Sequence, residues 1–193
     1  MYTDYHVQGA VVQTVKQALK DMGVEGFVVI PRNMPTMTTG GSNGFNLDRD
    51  NILVDILSHR RNGWQSHRYI NEVQEDGSVL RVKREEWIET WTIQLSGVRR
   101  REITDSGDSV TGYDALSKVQ VWLNSSVGGE YMRHREKVPF APFWIFDVRR
   151  HAYKDDSHIN QIEASLDFKI NLVQFIDSKP IHITDFEVET HPI

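Results

Sequence analysis

The 193-residue sequence contains no cysteine. A disulfide framework and a thiolate metal site are therefore both excluded, and the redox compartment stays undetermined. The sequence also has no apolar run that approaches the roughly 20 residues of a membrane-spanning helix. The first residues, Met1 to Asp4, do not resemble a signal peptide. We therefore expect a soluble protein that is made and used in a cytoplasm.

Positive charge is also scarce. Lysine and arginine number 22 against 27 aspartate and glutamate residues, which gives a net charge of -5. Proteins dedicated to DNA or RNA binding usually carry a basic face, so this balance argues against that class. The remaining composition, 39% hydrophobic and 25% charged, is that of a globular protein. The length predicts a single domain over residues 1–193 that buries roughly 70% of its unfolded surface.

Recognisable catalytic and metal-binding motifs are missing. There is no Gly-x-Gly-x-x-Gly fingerprint, P-loop or nucleophile elbow, and the glycine-rich run 40–44 lacks the lysine of a phosphate loop. The acidic run 155–158 has side chains that bind cations, but acidic turns are common without a ligand. The histidines lack the short spacings of zinc sites, so we interpret them as surface or strand-face residues and expect no metal or cofactor. The histidines considered are His59, His67, His134, His151, His158 and His182.

The clearest pattern in the sequence is the alternation over residues 161–176. Successive side chains of a strand point to opposite faces, so this stretch predicts a long strand with one apolar and one polar face. Such alternation is typical of an antiparallel sheet with one covered face. The apolar side carries Ile162, Ala164, Leu166, Phe168, Ile170 and Leu172, and the polar side carries Glu163, Ser165, Asp167, Lys169 and Asn171.

Periodicity and turn residues predict the other elements. Asn62-Gly63 and Asp76-Gly77 predict two tight turns, so residues 60–84 are expected to form a hairpin arm that projects from the sheet. Residues 33–51 predict a long mobile loop, and Gly128-Gly129 is expected to end the second helix before a charged stretch. The expected helices span 4–22 and 108–124, beginning at Asp108 or Ser109, and the expected strands span 27–30, 52–60, 64–74, 78–83, 87–98, 143–152 and 181–189, with a turn at 154–157.

The order of these elements predicts an α+β fold. Strands joined by tight turns pair antiparallel, and two amphipathic helices suffice to cover one face of such a sheet. We therefore expect a mainly antiparallel β-sheet that is covered on one face by two helices, with a projecting β-hairpin arm.

One group of residues suggests enzymatic chemistry. Asp167 and Lys169 lie two residues apart on one face of the central strand, which is how restriction-type nucleases place a metal ligand beside a catalytic lysine. Asp147 is a candidate second carboxylate. The alternative explanation is that Asp167 and Lys169 belong to the polar face of the strand, and no Pro-Asp pair accompanies them. The sequence favours this alternative, so no catalytic residue is assigned.

Two further groups have ordinary structural explanations. The run 99–101 contains three arginines that are able to contact phosphates, but nearby acidic residues neutralise them and favour a solvated strand end. Tryptophans are able to stack against ligands, but the spacing of these favours the core. The tryptophans considered are Trp87, Trp91, Trp122 and Trp144.

The order of elements resembles that of bacteriophage tail-terminator proteins, also called tail-completion or neck-terminator proteins. The resemblance covers most of the chain and is a pattern of elements. It includes an N-terminal amphipathic helix leading to 27–31, a strand over 89–95 before the helix that contains 113–116, and the segment 143–148 before the long alternating strand. The loop at 33–51 and the hairpin at 62–83 are longer than this pattern requires.

The resemblance implies a structural protein of the virion, in the tail or neck, that assembles in the host cytoplasm. It implies a homohexameric ring that caps the head-proximal end of the tail tube, stops tube polymerisation and presents a surface to a neck or head-completion protein. No catalytic residues and no membrane partner follow from it. DNA is expected to pass through the ring without specific binding, because acidic lumen side chains repel phosphates. The alternative is a small metal-dependent nuclease that uses Asp147, Asp167 and Lys169.

Overall fold

A computed structural model describes residues 2–32, 50–75, 77, 79–98, 110–151 and 162–178 of the chain. These residues form an α+β fold, which confirms the predicted class. In chain order the elements are α1 Asp4–Asp21, β1 Phe27–Pro31, β2 Asp50–Val73, β3 Val79–Val98, α2 Gly112–Leu123, α3 Ser126–Arg133, β4 Ala141–Ile145, β5 Arg149–Arg150 and β6 Ile162–Ser178.

The strands form one open sheet in the order β1-β2-β3-β6-β4, and β5 pairs with β6 beyond β4. Only the β1–β2 pair is parallel among the described strands. The centre of the sheet is the long β3–β6 ladder, in which Leu95 lies opposite Leu166. The described sheet is thus mainly antiparallel, as predicted.

Strand β6 has the two faces that its alternation predicts. Its apolar positions 164, 166, 168, 170 and 172 are all buried, and the same face continues to a buried polar residue, Gln174. On the opposite face Asp167, Lys169 and Asn171 are half-buried. Ser165 on that face is buried as well, where its hydroxyl is 2.8 Å from a ring nitrogen of His151.

Helices α1 and α2 cover the apolar face of the sheet. Helix α1 packs against β1 and β2, and α2 packs against β3 and β6. The hydroxyl of Thr111 accepts a hydrogen bond from the backbone of Asp114 at 3.1 Å and thereby caps the first turn of α2. None of the helices in the described part of the chain is long and apolar enough to cross a membrane.

A third helix occupies a region where the sequence predicted none. Gly128 and Gly129 lie inside α3, and Met132, from the charged stretch that follows them, is fully buried. The reason is a close approach between helices, since a Cβ atom on Gly128 would lie 2.2 Å from the carbonyl oxygen of Trp122. The prediction of a helix break at these glycines was therefore wrong.

The arm exists, and of its two predicted turns the structure has the second, at Gly77, and lacks the one at Asn62-Gly63. Strand β2 runs through Asn62-Gly63 without reversing, and within the described arm the chain reverses between β2 and β3, where the N–H of Gly77 donates a hydrogen bond of 3.0 Å to the carbonyl of Gln74. Gly63 has φ +69° and lies in an irregularity between Asn62 and Ser66, so its backbone freedom serves a bulge. Strand β3 offers β2 a continuous antiparallel partner on both sides of this bulge, which removes any need for a turn here.

Other boundaries also differ from the predictions. Strand β2 begins at Asp50, inside the predicted loop 33–51, and the predicted strand 143–152 is divided into β4 and β5. The predicted turn at 154–157, the strand at 181–189 and nearly all of the loop at 33–51 lie outside the described residues.

Candidate functional site

The three residues of the nuclease hypothesis lie near one another in the fold but have other partners. Asp167 forms an ion pair with Arg149, and its other carboxylate oxygen accepts a hydrogen bond of 2.9 Å from Gln94. Lys169 lies with its Nζ 5.7 Å from the centroid of the Phe146 ring. With both carboxylate oxygens of Asp167 engaged, this geometry favours the polar-face explanation.

The third residue, Asp147, accepts a hydrogen bond of 3.3 Å from the side chain of Gln120 on α2. Within the described ranges, no group of three or more histidine, aspartate or glutamate side chains is arranged to hold a metal ion. A catalytic metal centre therefore has no structural support in this part of the molecule.

The histidines that the structure describes have local contacts. His59 stacks on Trp91, with ring centroids 4.4 Å apart and an angle of 23° between the planes. His134 ends α3 at its C-terminal cap, and His67 lies exposed on the arm. The expected strand-face and surface positions agree with these contacts. His158 and His182, the arginine run 99–101, the acidic run 155–158 and the glycine run 40–44 lie outside the described residues.

The first surface suited to assembly is the arm. Among the described residues, β6 accompanies β3 as far as the pair Lys83–Ser178, and beyond it only β2 and β3 of the arm are described. At this junction the Arg84 guanidinium donates two hydrogen bonds, of 2.6 and 2.7 Å, to the carboxylate of Asp177. These hydrogen bonds hold the pKa of Asp177 below its usual range. The base of the arm is thereby tied to the sheet.

The bulge in β2 presents a tryptophan to solvent. The side chain of Trp64 is 99% exposed. Its neighbours are fixed, because Arg61 donates a hydrogen bond of 2.7 Å to Gln65 and Gln65 donates one to Glu85 on β3. On the other side of the bulge, Asn62 donates a hydrogen bond to a side chain of β3. A fully exposed tryptophan flanked by hydrogen-bonded side chains is typical of a binding residue.

The second surface is an aromatic edge, which we define as Phe143, Trp144 and Phe146 on and beside β4. Phe143 and Trp144 are 58% and 59% exposed, so the prediction that Trp144 belongs to the core was wrong. The register of β4 against β6 shifts between Pro142 and Trp144, and this irregularity leaves two adjacent aromatic side chains exposed. The predictions for Trp87, Trp91 and Trp122 are confirmed, since all three are buried.

A cleft of about 360 Å³ lies beside the aromatic edge. One wall is the turn between α2 and α3 at residues 123–126, together with Gly129, Glu130 and Arg133 of α3. The opposite wall is residues 142–145 of β4. The cleft is therefore built by α3 and by the exposed side of β4.

Sequence reasoning missed the exposed tryptophans. Phe143 and Trp144 are consecutive in a strand, so at most one of them is able to face the core. That signal alone indicates an exposed aromatic residue in β4. The exposure of Trp64 follows from its position in a bulge, and the sequence contains no signal that separates this bulge from a hairpin turn.

Comparison with known families identifies the class of protein. The family model described as E217 gateway protein gp29 matches residues 6–180, which is most of the chain. No curated protein matches the chain. The matching family is one of phage structural proteins of the gateway or neck, where head and tail join.

Proposed function

The chain belongs to the E217 gateway protein gp29 family, and from this premise we propose that it works as a ring-forming terminator at the head–tail junction of a phage. Six copies form a closed ring on the head-proximal end of the tail tube. The ring stops the addition of further tube rings and offers its opposite side to a neck or head-completion protein. The family match carries this proposal, and the resemblance to tail terminators supplies its finer detail.

The architecture of the subunit supports a ring. Closure by head-to-tail contacts is a heterologous interface, so each copy needs two different complementary patches. The described sheet is open and its two sides are unlike: on one side β2 extends past β1 as the arm, and on the other lies β4 with its aromatic edge. Both sides carry exposed large apolar side chains, which are typical of interaction sites.

The arm supports a role in joining different proteins. A tube of identical rings grows because each ring offers the next an equivalent surface, and a terminator must match that surface on one side only. In the described residues the outer arm projects beyond the common sheet as β2 and β3 alone, so it is able to replace the growing face of the tube with a different one.

The charge balance supports a lumen through which DNA passes without being held. The net charge is -5, and a surface of like charge repels the phosphate backbone. We propose that the only partners of the ring are its own copies, the tail-tube protein and the neck or head-completion protein.

The proposal is tested with the purified protein and with phage that lack it. Native mass measurement is expected to give a hexamer, alone or on tail tubes, and negative-stain images are expected to show it only at the head-proximal end. Phage without the protein should produce unjoined heads and tails with overlong or ragged tubes. Tails of normal length that still attach to heads, or protein bound along the sides of tubes, would contradict the proposal.

A further inference from the structure

We propose that Trp64 of one copy inserts into the cleft between α3 and β4 of the next copy, and that this contact closes the ring. The inference deepens the proposed function and rests on it, because it names the residues of the contact between subunits. A heterologous interface requires a protruding group and a receiving site at different places on one chain. Trp64 and the cleft are such a pair.

The topology places the two parts on opposite edges of one sheet. One row of paired residues crosses the sheet from β2 to β4. It consists of Ser58 on β2, Thr92 on β3, Lys169 on β6 and Trp144 on β4. Three steps between strands correspond to roughly 14 Å. Strand β1 pairs with β2 only as far as Val54, so in the described structure β2 is the outermost strand at this level and beyond. A second copy that is displaced sideways along the sheet therefore brings its β4 edge toward β2.

The two parts are offset along the strands. Trp64 lies near the level of Trp87 on β3, five residues from Thr92. Five residues of a strand span roughly 17 Å, so neighbouring sheets meet with a stagger of about that length. A constant stagger is compatible with a closed ring when the strands are inclined to the plane of the ring.

The cleft has the size for an aromatic side chain, and its lining is mixed, with apolar residues on the β4 wall and mainly polar residues on the α3 wall. Its volume of about 360 Å³ lies at the lower end of the roughly 300–1,000 Å³ typical of sites that enclose a small ligand. Pro142 and Phe143 form an apolar wall, and the absence of a side chain at Gly129 leaves open space, since a Cβ atom there meets no atom within 4 Å. A single indole ring is suited to this space.

The energetics favour Trp64 as the anchor of the interface. A tryptophan buries about 150–250 Å² on binding, which is a large part of the roughly 800 Å² per partner of a standard interface. The side-chain hydrogen bonds beside Trp64 are already formed in the single subunit, which reduces the order that is lost on binding.

Charge is compatible with the same pairing. Arg60 is exposed on the arm, and Glu130 is exposed at the rim of the cleft. Neither side chain has an ion-pair partner among the described residues. The neighbouring Arg133 is also at the rim, so the charge at this point is mixed and contributes mainly to orientation.

The decisive experiment is photo-crosslinking in the full-length protein. Benzoylphenylalanine replaces Trp64 in an isotope-labelled chain, which is mixed with unlabelled chain, so that mass spectrometry separates contacts between copies from contacts within one. The expected product joins position 64 of one copy to residues 123–133 or 142–145 of another. The matched control places the same group at Tyr69, which is 57% exposed further along the arm, and should not label the cleft.

Substitutions give a second, independent readout. Trp64→Ala should weaken association between subunits about 30-fold or more, which corresponds to the roughly 2 kcal/mol of an interface hot spot. Trp64→Phe should retain most of the association, and Gly129→Leu, which fills the cleft, should lose it. Because Trp64 is fully exposed, its loss should leave the melting temperature of the subunit unchanged.

The outcomes separate this inference from the proposed function. A ring of hexamer mass with cross-links outside the cleft, or one that Trp64→Ala leaves intact, overturns the inference and leaves the proposed function standing. Cross-links from position 64 to the tail-tube or neck protein in assembled particles also overturn it, since the partner is then another protein. If no ring forms on its own or on tail tubes, both are overturned.

Discussion

The neighbouring glycines of α3 provide a sharp test of the structure. A Cβ atom added at Gly128 would lie 2.2 Å from the carbonyl oxygen of Trp122 and 2.9 Å from its ring atom Cε3. A Cβ atom added at Gly129 would have no atom within 4 Å. Gly128→Ala and Gly129→Ala therefore add the same methyl group to the same helix. They differ only in the atoms that this methyl group contacts.

The expected effects have opposite signs. Alanine is favoured over glycine inside a helix by roughly 0.5–1 kcal/mol, so Gly129→Ala should stabilise the protein by up to that amount. Gly128→Ala has the same intrinsic gain but forces the backbone of α2 away from α3. Overpacking of this kind typically costs about 1–3 kcal/mol, and the obstacle is backbone and is not able to rotate aside. Gly128→Ala should therefore destabilise the protein.

Thermal unfolding followed by circular dichroism measures the difference. At this chain length 1 kcal/mol shifts the melting temperature by roughly 2–4 °C, so Gly129→Ala should melt a few degrees above the original protein and Gly128→Ala several degrees below it. If the two glycines only interrupted a helix, as the sequence predicted, both substitutions would stabilise alike. Equal melting temperatures for the two variants would thus refute the packing of α3 against Trp122.

Three further predictions concern the sheet, the arm and the cap of α2. Leu166→Asp should lower the free energy of unfolding by several kcal/mol, because it buries an unpaired charge. Asp167→Ala should change the free energy of unfolding by about 1 kcal/mol or less. If the two variants were equally destabilised, the faces of β6 would be wrongly assigned. In hydrogen exchange, amides of residues 69–73 and 79–82 should exchange faster than those of residues 87–98 in β3, because no described strand other than β2 and β3 pairs in the outer arm, and uniform protection would contradict this. A hydrogen bond from the Thr111 hydroxyl lowers the pKa of the Asp114 carboxyl in the folded protein. The ionised carboxyl therefore stabilises the fold fully above the ordinary aspartate pKa, which is about 4, and this contribution is lost as the pH falls through the folded-state pKa. Thr111→Ala should accordingly cost about 1 kcal/mol in urea unfolding at pH 7 and less at pH 3, and a cost independent of pH would refute this account of the cap.

The local patterns of the sequence determined the strand β6, the helices α1 and α2, and the α+β class. In each case the signal is a periodicity, and the period of a strand or helix is fixed by backbone geometry wherever the element lies. Alternation alone therefore places Leu166 and Asp167 on opposite faces of β6, and the apolar residues mark the face of Leu166 as the covered one. The resemblance in the order of elements was sufficient to indicate a phage structural protein, although no single motif carries it.

Tertiary structure decided the features that matter most for assembly. Periodicity does not reveal whether another element covers a given face, and the exposure of Trp144 depended on the irregular pairing of β4 with β6. The backbone of Gly63 is compatible with both a hairpin turn and a bulge. It forms a bulge, which exposes Trp64, because β2 pairs with β3 on both sides of this position. A glycine at position 128 is compatible with both the end of a helix and a close contact between helices. Here it allows α3 to pack closely against Trp122 of α2. In all three cases the deciding partner lies on another element of the fold, beyond the reach of local sequence patterns.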